Sequence, residues 1–213
     1  MRKAIPWIFA AIMAVVLFLT FPRAHEPRPV TDPYNRDAAV AYARRWAQER
    51  NPEYADLESN CTNYVSQVLA AGGKKMDEPI APVPGRRIVY HDLRGRWFSA
   101  SMHSDPEKWQ EFSLSTSFCR TSDFVDYWTR ERGMELTKYI NNLDGLLALN
   151  SRAEVGDVIL LYNEKERLEH MCVLVAQENL QLFISANTID YNEHNLLHIS
   201  PVQYPWVGLL KIR

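Results

Sequence analysis

The final third of the chain carries short apolar segments separated by polar turns, and this pattern limits the fold more than any other feature of the sequence. Four such segments follow one another, at 157–162, 170–176, 180–185 and 206–212. Apolar segments of this length joined by turns of a few residues are typical of antiparallel strands. The sequence therefore predicts an antiparallel meander in this part of the chain.

Helical patterns come before the strands. Apolar residues recur at helical spacing over about 38–50, from Cys61 to the Gly72-Gly73 pair, and from Ser122 to Gly133. Either Asn35 or Asp37 can cap the first of these helices. Helices first and strands afterwards predict an α+β domain in which the sheet packs on the helix that begins at Cys61.

The first 24 residues differ in composition from the rest of the chain. Arg2 and Lys3 precede an uncharged apolar run from Ala4 to Phe21, whose 18 residues lie between a secretory signal and a short membrane-spanning helix. No small-x-small cleavage triplet follows, which favours an uncleaved signal anchor over a removed signal peptide. The expected location is the cell membrane, single-pass with the domain outside, or the secreted state if the segment is cleaved.

Residues 25–33 are proline-rich and charged, which is typical of a tether between a membrane and a domain. The remaining residues, 34–213, are enough for one domain with a substantial core. Within this domain, prolines and glycines interrupt an aromatic stretch at about 74–117. This composition predicts an ordered, loop-rich insertion.

Charge and cysteine content narrow the classes of function. Residues 25–213 hold 21 basic and 26 acidic residues with no basic stripe, which argues against a nucleic-acid partner. The three cysteines are an odd number, so at least one thiol is free or intermolecular, and Cys119 and Cys172 are either a disulfide or two thiols. His194 and His198 lack the second ligand pair of a zinc motif, and no phosphate-binding loop is present. No metal or cofactor is expected.

Cys61 stands where the second helix should begin, directly after Ser59 and Asn60, which both favour the N-cap position. A helix N-terminus presents unpaired N–H groups and the positive end of the helix dipole, and both favour a thiolate. The segment therefore predicts a nucleophilic cysteine. A small, buried, structural cysteine is the alternative interpretation.

His170 begins the second predicted strand, and the strand period of two places Cys172 and Leu174 on the same face. A polar residue at the head of an inward-facing row is a candidate general base. The alternative is a surface histidine at a strand end. Asp157, at the beginning of the first strand, fits a turn residue better than a catalytic acid.

Several blocks of sequence together carry a family resemblance. They are YNRDAAVAYA at 34–43, NCTNYVSQ at 60–67, VGDVI at 155–159, His170 with the apolar residues 173–175, and SANT at 185–188. With these blocks the chain resembles the putative amidase domain family, which is itself similar to papain-like cysteine hydrolases of the bacterial cell-wall type. The blocks span residues 34 to about 197 and leave the insertion poorly matched.

The resemblance implies a papain-like α+β fold and a hydrolase of amide bonds, and the N-terminal segment predicts that this hydrolase is exported. It implies Cys61 as the nucleophile, His170 as the general base and Asn187 as the residue that orients the imidazole. The implied substrate is an amide or peptide, with cell-wall peptide a reasonable choice. Two alternatives stay open: a non-catalytic surface binding module on the same fold, and an acyltransferase that works through the same thioester.

Overall fold

The structure is a computed structural model that describes residues 27–28, 30–105 and 107–213. The predicted signal anchor or signal peptide at 1–24 lies outside these residues, as does the start of the predicted tether. Among the helices in the described ranges, none is both long enough and apolar enough to cross a membrane.

Helices dominate the first part of the described chain and strands the last part. The helices are α1 (Arg36–Trp46), α2 (Cys61–Ala71), α3 (Thr116–Cys119), α4 (Thr121–Asp126) and α5 (Leu143–Asn150), with a π-helical turn at Tyr127–Glu131 and a 3₁₀ turn at Leu196–His198. The strands are β1 (Ile88–His91), β2 (Ser99–Met102), β3 (Glu111–Ser115), β4 (Leu136–Ile140), β5 (Val158–Tyr162), β6 (Leu168–Glu178), β7 (Gln181–Ala186), β8 (Tyr191–Asn195) and β9 (Trp206–Leu210).

The larger sheet has the strand order β4-β9-β5-β6-β7-β8, and each neighbouring pair is antiparallel. Three of the four predicted segments, β5, β6 and β7, are successive neighbours, as the predicted meander requires. The fourth, β9, does not continue the meander, because it returns to the other side of β5. Strand β8, which was not predicted, lies beside β7, and β4 adds outside β9. The predicted α+β class with an antiparallel sheet is therefore confirmed. A smaller sheet, β1-β3-β2, lies in the segment that the sequence predicts to be rich in loops.

The larger sheet is covered on both faces, and the alternation of side chains along β6 assigns each residue to one of them. Met171 and Val173 pack into the core that α1 and α2 cover, together with Cys61. Cys172 and Leu174 pack into a second core beneath α5. The row that begins at His170 therefore faces α5, because a strand directs alternate side chains to opposite faces.

The first helix begins as predicted but ends earlier. The Asn35 side chain accepts a hydrogen bond from the backbone N–H of Ala38 at 3.0 Å, which confirms Asn35 as the cap. The helix ends at Trp46 instead of continuing to Arg50. The three carbonyl groups of residues 46, 47 and 49 accept hydrogen bonds from the Asn187 side chain, at 2.8, 3.0 and 3.3 Å. The end of α1 is thus tied to the segment that follows β7.

Asp157 joins three distant parts of the chain at the beginning of β5. Its fully buried carboxylate accepts hydrogen bonds from the Arg36 guanidinium at 2.9 Å, the Ile212 N–H at 3.0 Å and the Glu154 N–H at 3.0 Å. This set of partners agrees with the structural role that the sequence predicts for this residue.

We expect Asp157→Ala to lower the free energy of unfolding by about 3 kcal/mol, because the change removes one member of a buried ion pair and leaves main-chain donors unpaired. Urea unfolding at pH 7 measures this loss. Glu154→Ala is the matched control, since Glu154 pairs with the same arginine at 3.3 Å through a side chain that is 58% exposed, and it should cost less than about 1 kcal/mol. Equal losses of unfolding free energy in the two variants would contradict the structural role of Asp157.

Candidate active site

Cys61 is the first residue of α2, and its side chain is buried, with only 2% of the residue exposed. Asn60 occupies the N-cap position, where its carbonyl accepts the first helical hydrogen bond, from the Tyr64 N–H at 2.8 Å. The Asn60 side chain makes no capping bond. It donates instead to the Asn187 side-chain oxygen at 2.5 Å and accepts from the Asn63 side chain at 2.7 Å.

The backbone of β6 approaches the Cys61 sulfur. Leu174 exchanges both of its main-chain hydrogen bonds with residues 156 and 157 on the β5 side, so the alternation of an antiparallel ladder directs the N–H of Met171 toward the β7 side. Pairing between β6 and β7 begins only at Val173 and Ser185, so no β7 residue is paired with Met171. The Met171 N–H interacts with the Cys61 sulfur there and favours its thiolate form. The thiol therefore lies beside the residue that follows His170.

Burial raises the pKa of the Cys61 thiol above its ordinary value. The backbone N–H groups of Met171, Thr62 and Cys61 itself, together with the Thr62 hydroxyl, oppose this shift without cancelling it. The sequence predicts that the helix N-terminus favours a thiolate. In the structure the desolvation of a buried sulfur outweighs that effect, because removing a charge from water costs more than a few N–H dipoles return. The resting group at neutral pH is a protonated thiol.

His170 is buried, with 3% of the residue exposed, and burial lowers the pKa of its imidazole to about 4. Its ring packs edge-on against Tyr191, with the ring centroids 6.0 Å apart. The Nε2 atom has no hydrogen-bond partner in the described part of the chain, so neither the Cys61 thiol nor the Asn187 amide bonds to it there. A buried, unpaired ring nitrogen is costly, and such groups in native proteins often serve a chemical function.

Asn187 is fully buried, and both the oxygen and the nitrogen of its side-chain amide form hydrogen bonds. Its oxygen accepts from Asn60, and its nitrogen donates to the last carbonyl groups around the end of α1. The structure thus brings Asn187 to Asn60, the residue that precedes Cys61. The partners of the Asn187 side chain are Asn60 and carbonyl groups, whereas the family resemblance implies the His170 imidazole as the partner.

The segment after Asn187 also touches the start of α2, and the sequence did not reveal this contact. The Thr188 hydroxyl accepts from the backbone N–H of Asn60 at 2.6 Å, and Thr188 has a positive φ of 92°. Asp190 pairs with Arg50 at 3.3 Å, and Arg50 also pairs with Asp56 at 3.5 Å. Thr188 belongs to the SANT block, but no periodicity or motif indicated where its side chain would point.

Cys119 and Cys172 are free thiols, so the disulfide that the sequence left open is not formed. Cys172 is buried in the core beneath α5, and burial raises its pKa well above the ordinary value. His194 and His198 place their ring centroids 5.9 Å apart. No group of three or more His, Cys, Asp or Glu side chains in the described residues could hold a metal ion.

A small cavity of about 230 Å³ opens beside the loop that leads into α2. Its lining comes from that loop, from β1 and from the end of α3, through Leu57, Glu58, Ser59, Tyr90, Cys119 and Arg120. A larger groove of about 410 Å³ lies between the same loop and β2, and Glu53 and Tyr54 contribute to it. Both depressions border the segment that ends at Cys61.

Comparison with known proteins agrees with the resemblance seen in the sequence. The chain matches the putative amidase domain over residues 33–206, which is most of its length. It is 30% identical over 165 residues to an uncharacterized protein, YhbB, of Bacillus subtilis (strain 168). That alignment covers 74% of this chain and 42% of YhbB, so the chain spans less than half the length of this relative. No solved structure is significantly similar.

The family model covers well over half of the chain. The chain belongs to the putative amidase domain family.

Proposed function

We propose that this protein is a papain-like, cysteine-dependent hydrolase of amide bonds, with Cys61 as the nucleophile and His170 as the general base. The observation that supports the proposal is the position of the Cys61 sulfur beside the Met171 N–H, at the edge of β6 that β7 leaves unpaired and one residue from His170. The imidazole lies on the α5 side of the strand and reaches the thiol by turning around this edge. A cysteine at a helix start and a histidine on an adjacent strand are the two groups that acyl transfer through a thioester requires.

The proposed resting state is a neutral pair. Burial keeps the thiol protonated and the imidazole neutral, since it raises the pKa of Cys61 and lowers that of His170 to about 4. Attack on the amide carbon therefore needs the imidazole to take the thiol proton as the S–C bond forms. The same proton then passes to the leaving amine as the C–N bond breaks, which leaves a thioester on Cys61.

Water completes the cycle. His170, again neutral, takes a proton from the attacking water, and the thiol leaves with that proton as the acid product forms. The N–H of Cys61, at the open end of α2, is the proposed donor to the oxyanion in both steps, and one such donor is worth about 10²-fold in rate. No hydrogen bond joins Cys61 and His170 in the described residues, and catalytic hydrogen bonds of free enzymes often form only when substrate binds.

In this proposal, Asn187 fixes the position of α2, the helix that carries the proposed nucleophile. Its hydrogen bond to Asn60 and its bonds to the end of α1 fix the N-cap of α2, and the N-cap sets the position of Cys61. Asn187 is therefore a positioning residue for the cysteine. The predicted export and the family resemblance together make cell-wall peptide the first amide substrate to test, and a predicted N-terminal anchor would keep the domain at the membrane.

The pH dependence of amide hydrolysis tests the neutral pair. Activity requires a neutral imidazole, so we expect kcat/KM to be level near neutral pH and to fall to half at about pH 4, where His170 takes up a proton. An ordinary histidine would give the half-point near its usual pKa of about 6.5. Hydrolysis of a panel of aminoacyl and dipeptidyl coumarylamides and of isolated cell-wall peptides supplies the rates.

Loss of fold must be separated from loss of activity in this experiment. The folded pKa of His170 lies below its unfolded value, so the unfolded chain binds the extra proton, and stability falls as the pH drops from about 6.5 toward 4. Circular dichroism at each pH identifies the range in which the domain stays folded. A half-point near pH 6.5 in folded protein would contradict the proposal, as would a thiolate–imidazolium pair revealed by alkaline loss of activity.

Trapping of the thioester separates the proposed function from its alternatives. Acid quench followed by intact-mass measurement should show one acyl group on Cys61, and added glycinamide should divert the acyl group from water only at high concentration. Efficient transfer to the amine would indicate an acyltransferase. No acyl adduct and no hydrolysis with any member of the panel would favour the binding module.

A further inference from the structure

The cavity beside the start of α2 is lined by two charged side chains of opposite sign. Glu58 belongs to the loop before α2, and Arg120 lies between α3 and α4. Both residues are exposed, and neither forms an ion pair or side-chain hydrogen bond with the other or with another side chain in the part of the chain that the structure describes. The cavity therefore offers an acceptor and a donor whose charges no described residue neutralises.

The rest of the lining is apolar or uncharged. Leu57 and Tyr90 contribute apolar surface, and the Tyr90 ring is 50% exposed, so its face is available to a cation. Cys119 is half-buried, and burial raises its pKa to about 12, so it lines the cavity as a neutral thiol. A volume of about 230 Å³ is smaller than the usual site for a drug-sized ligand and suits a group of amino-acid size.

The cavity is also close to the proposed nucleophile along the chain. Ser59 lines it and precedes Cys61 by two residues, and two residues span at most about 7 Å between Cα atoms. A ligand in the cavity would thus sit next to the first turn of α2. The geometry points to a substrate subsite for a compact group that carries both an ammonium and a carboxylate, with Arg120 binding the carboxylate and Glu58 the ammonium. This inference rests on the proposed function for its link to catalysis.

Binding to the Cys61→Ser protein tests the subsite without any need for turnover. The probes are glycylglycine, which carries both charges, N-acetylglycylglycine, which keeps the carboxylate, and glycylglycinamide, which keeps the ammonium. We expect calorimetry to show that glycylglycine binds about tenfold or more tightly than either blocked form, because each charge-assisted contact adds to affinity. Equal affinities for the three probes would overturn the inference.

Two variants assign the charges. Arg120→Gln, made in the Cys61→Ser protein, should weaken glycylglycine and N-acetylglycylglycine about tenfold and leave glycylglycinamide unchanged. Glu58→Gln should weaken glycylglycine and glycylglycinamide and leave N-acetylglycylglycine unchanged. Arg130→Gln and Glu164→Gln remove exposed charges of the same types outside the cavity and should change none of the affinities. If these control variants weaken binding as much, the effect is general electrostatics and the subsite is refuted.

Competition on the wild-type protein separates the subsite from the hydrolase itself. Glycylglycine should inhibit the hydrolysis of an amide from the panel competitively, and Arg120→Gln should remove this inhibition. If the cavity binds glycylglycine but glycylglycine does not inhibit hydrolysis, the role of the cavity in catalysis is overturned. Charge-dependent binding in a protein that hydrolyses no amide would keep the binding site and refute the proposed function.

Discussion

Cys61→Ser should reduce the kcat/KM for amide hydrolysis by at least about 10⁴-fold, because the change removes the proposed nucleophile, on which the rest of the proposed site acts. Serine has nearly the shape of cysteine, and the side chain is buried at the start of a helix, so the variant should fold. A serine hydroxyl is harder to deprotonate than a thiol, and an imidazole with a pKa of about 4 is a weak base for that task. Steady-state kinetics on the most reactive amide of the panel measures the loss.

Cys172→Ala is the matched control, since Cys172 is a second buried thiol and packs in the core beneath α5, whereas Cys61 packs in the core on the other face of the sheet. This variant should lose some stability through the small cavity it creates but keep kcat/KM within about threefold of the wild type. Intact-mass analysis after iodoacetamide at high pH should find Cys61 modified in the control and unmodified thiols in Cys61→Ser. Hydrolysis that survives Cys61→Ser would show that another group is the nucleophile.

The local features of the site could be predicted from sequence because they depend on neighbouring residues. The helix that begins at Cys61 has its cap residue before it and two glycines after it, and the strand that contains His170 is a continuous apolar run between polar turns. The local sequence pattern indicates both elements, even though the Asn60 side chain bonds to Asn187 and makes no capping hydrogen bond. The order of helices and strands then led to the correct α+β class.

The predictions that failed concern features that depend on packing between distant residues. The prediction of a thiolate at Cys61 considered only the helix N-terminus. In the structure, β6 and the start of α2 together bury the sulfur, and this burial raises the pKa of Cys61. The expected Asn187–His170 contact failed to appear for a similar reason, since the Asn187 amide is used by Asn60 and the end of α1. Strand β4 and the three strands of the smaller sheet were missed because their short segments lack a clear alternation. Strand β8 was missed because its sequence is polar.

The family match and the structure constrain function at different levels. The match over residues 33–206 identifies an amidase domain, while YhbB extends well beyond the region that aligns with this chain. The role of each site residue must therefore come from its surroundings. For His170, the proposed general base, those surroundings are a buried ring, an Nε2 atom without a partner in the described residues, and a place next to the residue whose N–H interacts with the Cys61 sulfur.

His170→Gln should lower kcat/KM by about 10³-fold, because general acid–base catalysis by a positioned group is worth about 10² to 10⁴ in rate. Glutamine can fill much of the space of the ring and contact Tyr191, but it cannot carry the thiol proton to the leaving amine. The acid half-point at about pH 4 should vanish with the residue that causes it. Added imidazole should restore part of the activity of His170→Ala, whose smaller side chain leaves room for it.

His198→Gln is the matched control, since this histidine ends the 3₁₀ turn after β8 and is exposed. It should leave both the rate and the pH profile unchanged. A structural role for His170 would make a different prediction: lower stability and a uniform loss of activity, with the acid half-point still present and no rescue by imidazole. The pH profile and the rescue therefore decide between a base and a packing residue, and a loss below about tenfold in folded protein would remove His170 from the mechanism.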